Sequence, residues 1–245
     1  DALLLGRTRA QGTQSGRIVT INDLESDLFH GGMAAKLSWD LNHNQLDFQE
    51  LALANWQLDL QTLPALPVVL PHITAEQITL ENISAIDLSK HFALNQATGT
   101  VEKLTWLPGQ WPTFEYQGKL GEFTDGLFQL TDMQGEGRLR DQDWRLQLEG
   151  AAYAGQFNAD LEGNRQPATL TINDLQLNNM QPELRPGWHE WLAAQPFQQI
   201  DLRRLDVSHF SLISFDDSVP LTMKWLDLFL TDLRWTPQGL QNSSH

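Results

Sequence analysis

Seven histidines are the residues best suited to bind a metal or transfer a proton, and none stands at the spacing of a metal-binding motif. His189 and Glu190 match the beginning of a His-Glu-x-x-His helix, but Ala193 occupies the position of the second histidine. Because the i, i+4 histidine pair defines that zinc site, the sequence predicts neither a metal nor another cofactor. The histidines are His30, His43, His72, His91, His189, His209 and His245.

Acidic pairs and glycines offer no acid/base pair and no phosphate loop. Asp216 and Asp217 are explained by a turn, and Asp141 and Asp143 by the tip of a predicted hairpin. The segment Gly135–Gly137 lacks the third glycine and the following helix of a phosphate-binding loop. We therefore predict that this chain is not an enzyme.

Tryptophan is abundant, with nine residues in a chain of 245. Trp106 and Trp111 lie among prolines, where an aromatic platform for a sugar or a lipid is one interpretation. Packing in the core and in loops is the interpretation that the residue type favours, because a large aromatic side chain contributes most when it is buried. A carbohydrate-binding β domain is therefore the weakest of three functional hypotheses.

Composition excludes several classes of partner. The net charge of −15, with only 16 Lys and Arg, argues against a nucleic-acid or anionic-membrane surface. The absence of cysteine excludes disulfides, zinc-thiolate sites and cysteine nucleophiles. No stretch approaches the ~20 apolar residues that span a membrane. We interpret the chain as a fragment of a longer polypeptide, with any membrane anchor outside it.

One hydrophobic pattern, apolar-x-apolar-x-x-apolar-x-apolar, recurs in six stretches. Leu46 and Phe48 alternate as in a strand, and Leu51 and Leu53 resume the alternation after two polar residues. Such an insert would turn the second apolar pair to the wrong face, so we predict a β-bulge or sharp bend at each polar pair. The polar pairs are Asn22-Asp23, Gln49-Glu50, Glu81-Asn82, Asn173-Asp174, Arg203-Arg204 and Thr231-Asp232.

These stretches predict strands with one apolar side each, and those sides are the candidate binding surface. The candidate groove residues are Leu46, Phe48, Leu51, Leu53, Ile78, Leu80, Leu170, Ile172, Leu175, Leu177, Leu205, Val207, Leu228 and Leu230.

The predicted fold is mostly β: a long, curved or twisted antiparallel sheet that forms a groove or a sandwich, with one or two short helices. Asn-rich residues 42–45 predict a hairpin turn, and Gly31 and Gly32 predict a bend or a close backbone approach. Residues 1–75 form a β subdomain that closes with a proline-rich connector, and residues 76–245 form the main antiparallel subdomain. One helix is predicted at 183–194 and a shorter one around Ser89.

The chain resembles the AsmA family of Gram-negative envelope proteins, and within it the YicH-like branch. The resemblance covers most of the chain and rests on degenerate strand motifs rather than a catalytic signature. The segments that carry it are Phe29–Leu41, Leu46–Trp56, Pro186–Trp188, Ile200–Ser208, Val219–Leu221 and Leu226–Leu233.

The resemblance implies a periplasmic body anchored in the inner membrane by a helix outside this segment. It also implies a groove-bearing β structure that moves phospholipid between the inner and outer membranes in outer-membrane biogenesis, with no catalytic residues. The implied partners are an acyl-chain ligand and envelope proteins. The residues alone leave an alternative open, which is a sealed β sandwich that serves as a structural or interaction domain of a secretion or envelope complex.

Overall fold

The computed structural model describes residues 6–61, 71–90, 92–125, 128–184, 196–214, 222–236 and 239–242. Its described part is almost entirely β, which confirms the predicted fold class; the described helical structure is one 3-10 turn, Leu88–Lys90. The strands are β1 Thr8–Ser15, β2 Ile18–Leu28, β3 Gly31–Asp40, β4 Gln45–Ala54, β5 Gln57–Asp59, β6 His72–Asp87, β7 Phe92–Trp106, β8 Thr113–Asp125, β9 Phe128–Arg140, β10 Asp143–Ala152, β11 Gly155–Arg165, β12 Ala168–Asn178, β13 Glu183–Leu184, β14 Gln199–Ser214, β15 Thr222–Thr236 and β16 Gly239–Asn242.

The sheet is mixed, and the chain divides into two compact units. Unit 1 is Asp1–Asp125 with Arg138–Asp141, and unit 2 is Gly126–Gly137 with Gln142–His245. The boundary expected between residues 75 and 76 falls inside β6, which is a continuous strand. The proline-rich connector lies outside the described residues except for its last position. Of the helix predicted at 183–194, the structure describes only the first two residues, and they form the strand β13.

Each unit combines antiparallel pairs with one parallel crossover. In unit 1 the order is β1-β2-β3-β4-β6-β7-β8, and β4 and β5 both pair with β6 in parallel. In unit 2 the order runs from β9 to β12 and continues through β14, β15 and β16, while β12 and β13 pair with β14 in parallel. The expected all-antiparallel sheet is therefore corrected, because a longer connection at these two points returns the chain in the same direction.

Four of the six polar pairs interrupt strands as β-bulges. On β2, Asn22 and Asp23 lie opposite the single residue Lys36 of β3. Ile21 and Leu24, on either side, are both half-buried, whereas Asn22 and Asp23 are exposed. The extra residue thus returns the apolar side chains to one face, as the alternation predicts.

The register shifts likewise at Gln49 between β3 and β4, across Glu81 and Asn82 between β6 and β7, and at Asn173 between β11 and β12. Arg203-Arg204 and Thr231-Asp232 differ, because β14 and β15 keep their register there. These two polar pairs lie opposite each other, so both strands contain the same two extra residues and their pairing register does not shift.

The expected hairpin at residues 42–45 is present between β3 and β4. Its turn is closed by Asp40, whose carboxylate accepts the backbone N–H of Asn42 at 2.8 Å and contacts Nδ1 of His43 at 2.7 Å. The hydrogen bond with His43, and then that with Asn42, holds the pKa of Asp40 below its usual value. A local carboxylate therefore fixes the turn, as Asx chemistry predicts.

The two units repeat one strand plan. Three antiparallel strands, β2–β4 in unit 1 and β10–β12 in unit 2, are followed by a crossover that carries a short strand, β5 or β13. The next strands match in length: β6 and β14 have 16 residues each, and β7 and β15 have 15 each. The chain is therefore an internal duplication at the level of structure.

Backbone detail supports the duplication. Asn82 in β6 and His209 in β14 have φ angles of 52° and 53°. The N–H of Asn82 donates to Oγ1 of Thr98, and the N–H of His209 donates to a carboxylate oxygen of Asp227. The remaining matched left-handed residues are Phe29 with Tyr153, His30 with Ala154, Asn55 with Asn179, Gln96 with Trp225, and Lys103 with Asp232.

Candidate functional site

In unit 1, directly opposed apolar residues form a continuous surface that we call the first apolar face. Cross-strand partners share a face, so the register itself assembles the surface. Leu51 illustrates this, because it lies between Ala35 of β3 and Ile78 of β6. The face comprises Val19, Ile21, Leu24, Met33, Ala35, Leu37, Trp39, Leu46, Phe48, Leu51, Leu53, Ile73, Ala75, Ile78, Leu80, Val101, Leu104, Trp106 and Tyr116.

Unit 2 carries the corresponding surface, the second apolar face. Leu148, Ala159, Leu175 and Leu205 form one of its rows across four neighbouring strands. The face comprises Trp144, Leu146, Leu148, Phe157, Ala159, Leu161, Leu170, Ile172, Leu175, Leu177, Ile200, Leu202, Leu205, Val207, Leu228, Leu230, Leu233 and Trp235.

Every candidate groove residue lies on one of these faces. Leu46, Phe48, Leu51, Leu53, Ile78 and Leu80 are on the first face. Leu170, Ile172, Leu175, Leu177, Leu205, Val207, Leu228 and Leu230 are on the second.

The described residues do not seal either face. Leu37 and Val207 are buried at 6% and 5% exposure, but most of their apolar neighbours are only half-buried, and Trp39 is 40% exposed. No large side chain is fully buried within the described part of the chain. Packed cores normally contain fully buried Leu, Ile and Phe, so each face keeps apolar surface that solvent can reach.

Several residues of the two apolar faces are not among the candidate groove residues predicted from the sequence. Trp144, Leu146 and Leu148 alternate without a polar insert, and that simple alternation was the signal available for them. Trp106, considered above as half of a loop platform, is the last residue of β7 and pairs with Ile73 on the first face. Trp111 lies beyond β7 and is 61% exposed.

Aromatic side chains lie over glycines on both faces. A Cβ atom on Gly163 would stand 2.5 Å from Cζ2 of Trp144, so the indole occupies the space above that glycine. A Cβ atom on Gly118 would stand 2.7 Å from the hydroxyl oxygen of Tyr116. Tyr116 is half-buried, and this burial raises the pKa of its phenol.

The opposite side of the sheet is ionic. In unit 1, Nζ of Lys36 lies 2.7 Å from a carboxylate oxygen of Glu50. In unit 2, Arg145 contacts Asp160 at 2.9 Å, and this hydrogen bond is the main cause of the raised pKa of Arg145. Exposed ion pairs of this kind add little stability. Their main consequence is that, in each unit, one side of the sheet is hydrated and the other is apolar. Further pairs are Glu162–Arg203, Asp174–Arg204, Asp206–Arg204 and Asp201–Arg234.

One ionic cluster in unit 1 is centred on Glu115. Its two carboxylate oxygens contact Nζ of Lys103 at 2.8 Å and a guanidinium nitrogen of Arg140 at 2.9 Å. The hydrogen bond from Lys103, and then that from Arg140, lowers the pKa of Glu115. Lys103 has a φ angle of 55°, and this left-handed backbone conformation contributes to the placement of its amine beside Glu115.

We expect Glu115 to titrate below an ordinary glutamate in a carboxyl-detected NMR titration. A depressed folded-state pKa stabilises the fold above the unfolded-state pKa, near 4.5, and this stabilisation is lost as the pH falls through the folded-state value. Arg140→Met should raise the pKa of Glu115 and leave that of Asp40 unchanged. An identical titration of Glu115 in both proteins would contradict the assignment.

The described residues contain no group of three His, Asp or Glu side chains placed to hold a metal. His189, Glu190, Asp216 and Asp217 lie outside them. In the part of the chain that the structure covers, no helix has the length and apolar character needed to cross a bilayer.

The chain matches no known protein-family model, no curated protein and no solved structure. The functional argument therefore depends on the residues and the geometry described above.

Proposed function

We propose that this chain is a non-enzymatic lipid-binding segment whose apolar faces hold the acyl chains of phospholipid. In this proposal it is the periplasmic part of an AsmA-like protein of the Gram-negative cell envelope, anchored in the inner membrane, and it serves phospholipid transport between the two membranes. The observation that carries the proposal is the in-register apolar face of each unit, partly open to solvent, with ionic residues on the opposite side.

The physical support begins with the cost of exposed apolar surface. Apolar area in contact with water is unfavourable by roughly 25 cal/mol per Å², and contiguous apolar patches of several hundred Å² mark binding sites. An acyl chain would remove such surface from water and needs no hydrogen-bonding partner. The two faces supply almost no polar side chain that would require one.

The dimensions of the first face also suit an acyl chain. It extends over six strands, β2, β3, β4, β6, β7 and β8. At a spacing of about 4.8 Å between strands, this is a surface roughly 24 Å wide. Such a surface accommodates extended hydrocarbon while a phosphate headgroup stays in solvent.

Photo-cross-linking in cells tests the proposal with matched neighbours. We expect p-benzoylphenylalanine at Leu51 or Leu148 to form adducts with phospholipid, detected by mass spectrometry of the purified protein. The same residue at Ala52 or Gln147 should give at least tenfold fewer adducts, because these exposed positions lie on the ionic side. Equal lipid labelling at all four positions, or none at any, would reject the proposal; cross-linking of Leu51 to one protein instead would favour an interaction domain.

A further inference from the structure

The tryptophans of the two apolar faces all lie in the row of cross-strand partners at one end of each face. In unit 1, Trp39 of β3 and Trp106 of β7 share this row. In unit 2, Trp144 of β10 and Trp235 of β15 share the matching row. We call it the tryptophan row of each face. Its members are Val19, Trp39, Leu46, Ile73 and Trp106 in unit 1, and Trp144, Gly163, Leu170, Ile200 and Trp235 in unit 2.

The duplicated backbone matches the two rows place by place. Trp106 and Trp235 occupy one matched place, because each follows a matched left-handed residue at the same separation, Lys103 in β7 and Asp232 in β15. The φ angles of Lys103 and Asp232 are 55° and 57°. One indole of the row is therefore carried by the corresponding strand in both units.

The other indole is supplied by different strands. Trp39 and Gly163 occupy matched places, because β3 and β11 begin at the matched Gly31 and Gly155 and their registers shift at matched positions. Trp144, on the neighbouring strand β10, lies opposite Gly163. A Cβ atom on Gly163 would stand 2.5 Å from Cζ2 of Trp144, so the ring occupies the space above this glycine. Both units therefore hold an indole at this place, although the residue that carries it has changed.

The indole N–H groups at this place are available to a ligand. Trp106 donates its N–H to the carbonyl oxygen of Gln110 at 3.1 Å. Within the described part of the chain, the indole N–H groups of Trp39 and Trp144 have no hydrogen-bond acceptor, and both side chains are partly exposed. Indoles that leave water usually find an acceptor for this group. Packing alone would accept any large apolar side chain here, whereas the ring that both units retain carries a donor.

The rest of each face is suited to hydrocarbon. Along β3, the distance from Trp39 to Met33 is roughly 20 Å at the usual rise per strand residue. The rows between them are apolar, and Leu51 opposite Ile78 is typical of their members. An indole is apolar over its ring and polar at its N–H, so it suits the boundary between acyl chains and the groups that attach them to glycerol. Tryptophan is enriched at the same depth of lipid bilayers for this reason.

We propose that the tryptophan row is the ester end of each apolar face. The indole N–H groups of Trp39 and Trp144 donate to ester carbonyl oxygens of a bound diacyl phospholipid. Its acyl chains extend along the strands, toward Met33 in unit 1 and toward the matched Phe157 in unit 2. This inference rests on the proposed function, and it adds that the ligand is an ester-linked lipid held in one orientation by each unit.

Competition between two lipids tests the role of the N–H groups. The full chain is equilibrated with vesicles that contain equal amounts of dipalmitoyl phosphatidylcholine and its dihexadecyl diether analogue, which lacks only the ester carbonyls. Native mass spectrometry then measures the ratio of the two lipids bound. We expect about a fivefold excess of the diester, the effect of a typical net hydrogen bond.

The variant for this experiment is Trp39→Phe with Trp144→Phe, which keeps an aromatic ring at each place but removes the donor. We expect the diester excess to fall below twofold. Trp111→Phe is the matched control and should keep the excess, because Trp111 lies beyond β7 and on neither face. If the double variant does not fold, each single variant should still lower the excess.

Bromine quenching of tryptophan fluorescence tests the orientation. The difference between the wild-type protein and Trp39→Phe isolates the emission of Trp39. Phosphatidylcholine with bromines beside the ester groups should quench this emission at least twice as strongly as phosphatidylcholine with bromines near the chain ends. Stronger quenching by bromines near the chain ends would overturn the inference.

The outcomes separate this inference from the proposed function. Lipid bound with the same diester ratio in the wild-type protein and in the folded variants would overturn the role of the indoles and leave the proposed function standing. A protein that takes up neither lipid from the vesicles would reject both.

Discussion

Gly31→Ala is expected to destabilise unit 1 by about 3 kcal/mol, the upper part of the range for overpacked sites. A Cβ atom at Gly31 would stand 2.3 Å from the carbonyl oxygen of Ala54 and 2.6 Å from the carbonyl carbon of Asn55. Both atoms belong to the backbone of β4 and its turn, which cannot move aside as a flexible side chain does. Gly31 therefore marks a close backbone approach, one of the two alternatives that the paired glycines predict.

Gly32→Ala is the matched control. A Cβ atom at Gly32 would meet nothing within 4 Å, although the two residues are adjacent in β3. We expect this variant to be neutral or more stable by about 0.5 kcal/mol, because alanine restricts the unfolded chain more than glycine. Urea unfolding followed by tryptophan fluorescence and circular dichroism measures both variants. Equal free energies of unfolding for the two would contradict the close approach.

The duplication extends this prediction to unit 2. Gly155 matches Gly31, and its Cβ would stand 2.3 Å from the carbonyl oxygen of Asn178. The turn before each glycine has the same left-handed pair, with φ angles of 50° and 64° at Phe29 and His30, and 48° and 64° at Tyr153 and Ala154. Gly155→Ala should therefore cost about as much as Gly31→Ala. A large cost in one unit and none in the other would argue against equivalent turns.

Leu148→Asp is expected to lower the amount of phospholipid that copurifies with the protein by about tenfold per site, which corresponds to ~1.4 kcal/mol of binding free energy. Leu148 lies in the row of the second apolar face formed with Ala159, Leu175 and Leu205. A carboxylate there would have to lose its hydration against an acyl chain, and its side chain is too short to reach the ionic side. Quantitative lipid extraction from protein purified without detergent measures the effect.

Gln147→Asp supplies the control for this experiment. Gln147 is the preceding residue, is exposed, and lies opposite Asp160 on the ionic side. The variant adds the same charge and should retain its lipid. If Leu148→Asp fails to fold, Leu148→Asn removes apolar surface without a charge and should still reduce the lipid content. Wild-type lipid content in a folded Leu148→Asn protein would contradict the assignment of this face.

Local alternation explains why the strands and their apolar sides were predictable. The face to which a side chain points depends only on the two or three residues beside it. The spacing of Leu46, Phe48, Leu51 and Leu53 is therefore enough to predict that they share one face. The bulge at Asn22 and Asp23 is predictable for the same reason, because a bulge at two inserted polar residues keeps the apolar side chains before and after them on one face. All candidate groove residues therefore lie on the apolar faces that their spacing implied.

Long-range pairing was not predictable in the same way. The parallel crossover from β4 to β6 joins Leu51 to Ile78, and nothing in either strand specifies the direction of its neighbour.

The amino-acid sequence by itself determined the strand class, four of the six bulge positions and the apolar side of each strand, because these depend on neighbouring residues. Only the tertiary structure decided the division into two units and their duplication. The matched positions hold different residues, such as Asn82 with His209 and Gln96 with Trp225, and their separation along the chain changes with the loops between them. What the units share is a backbone geometry, and that geometry becomes visible only when distant strands are paired.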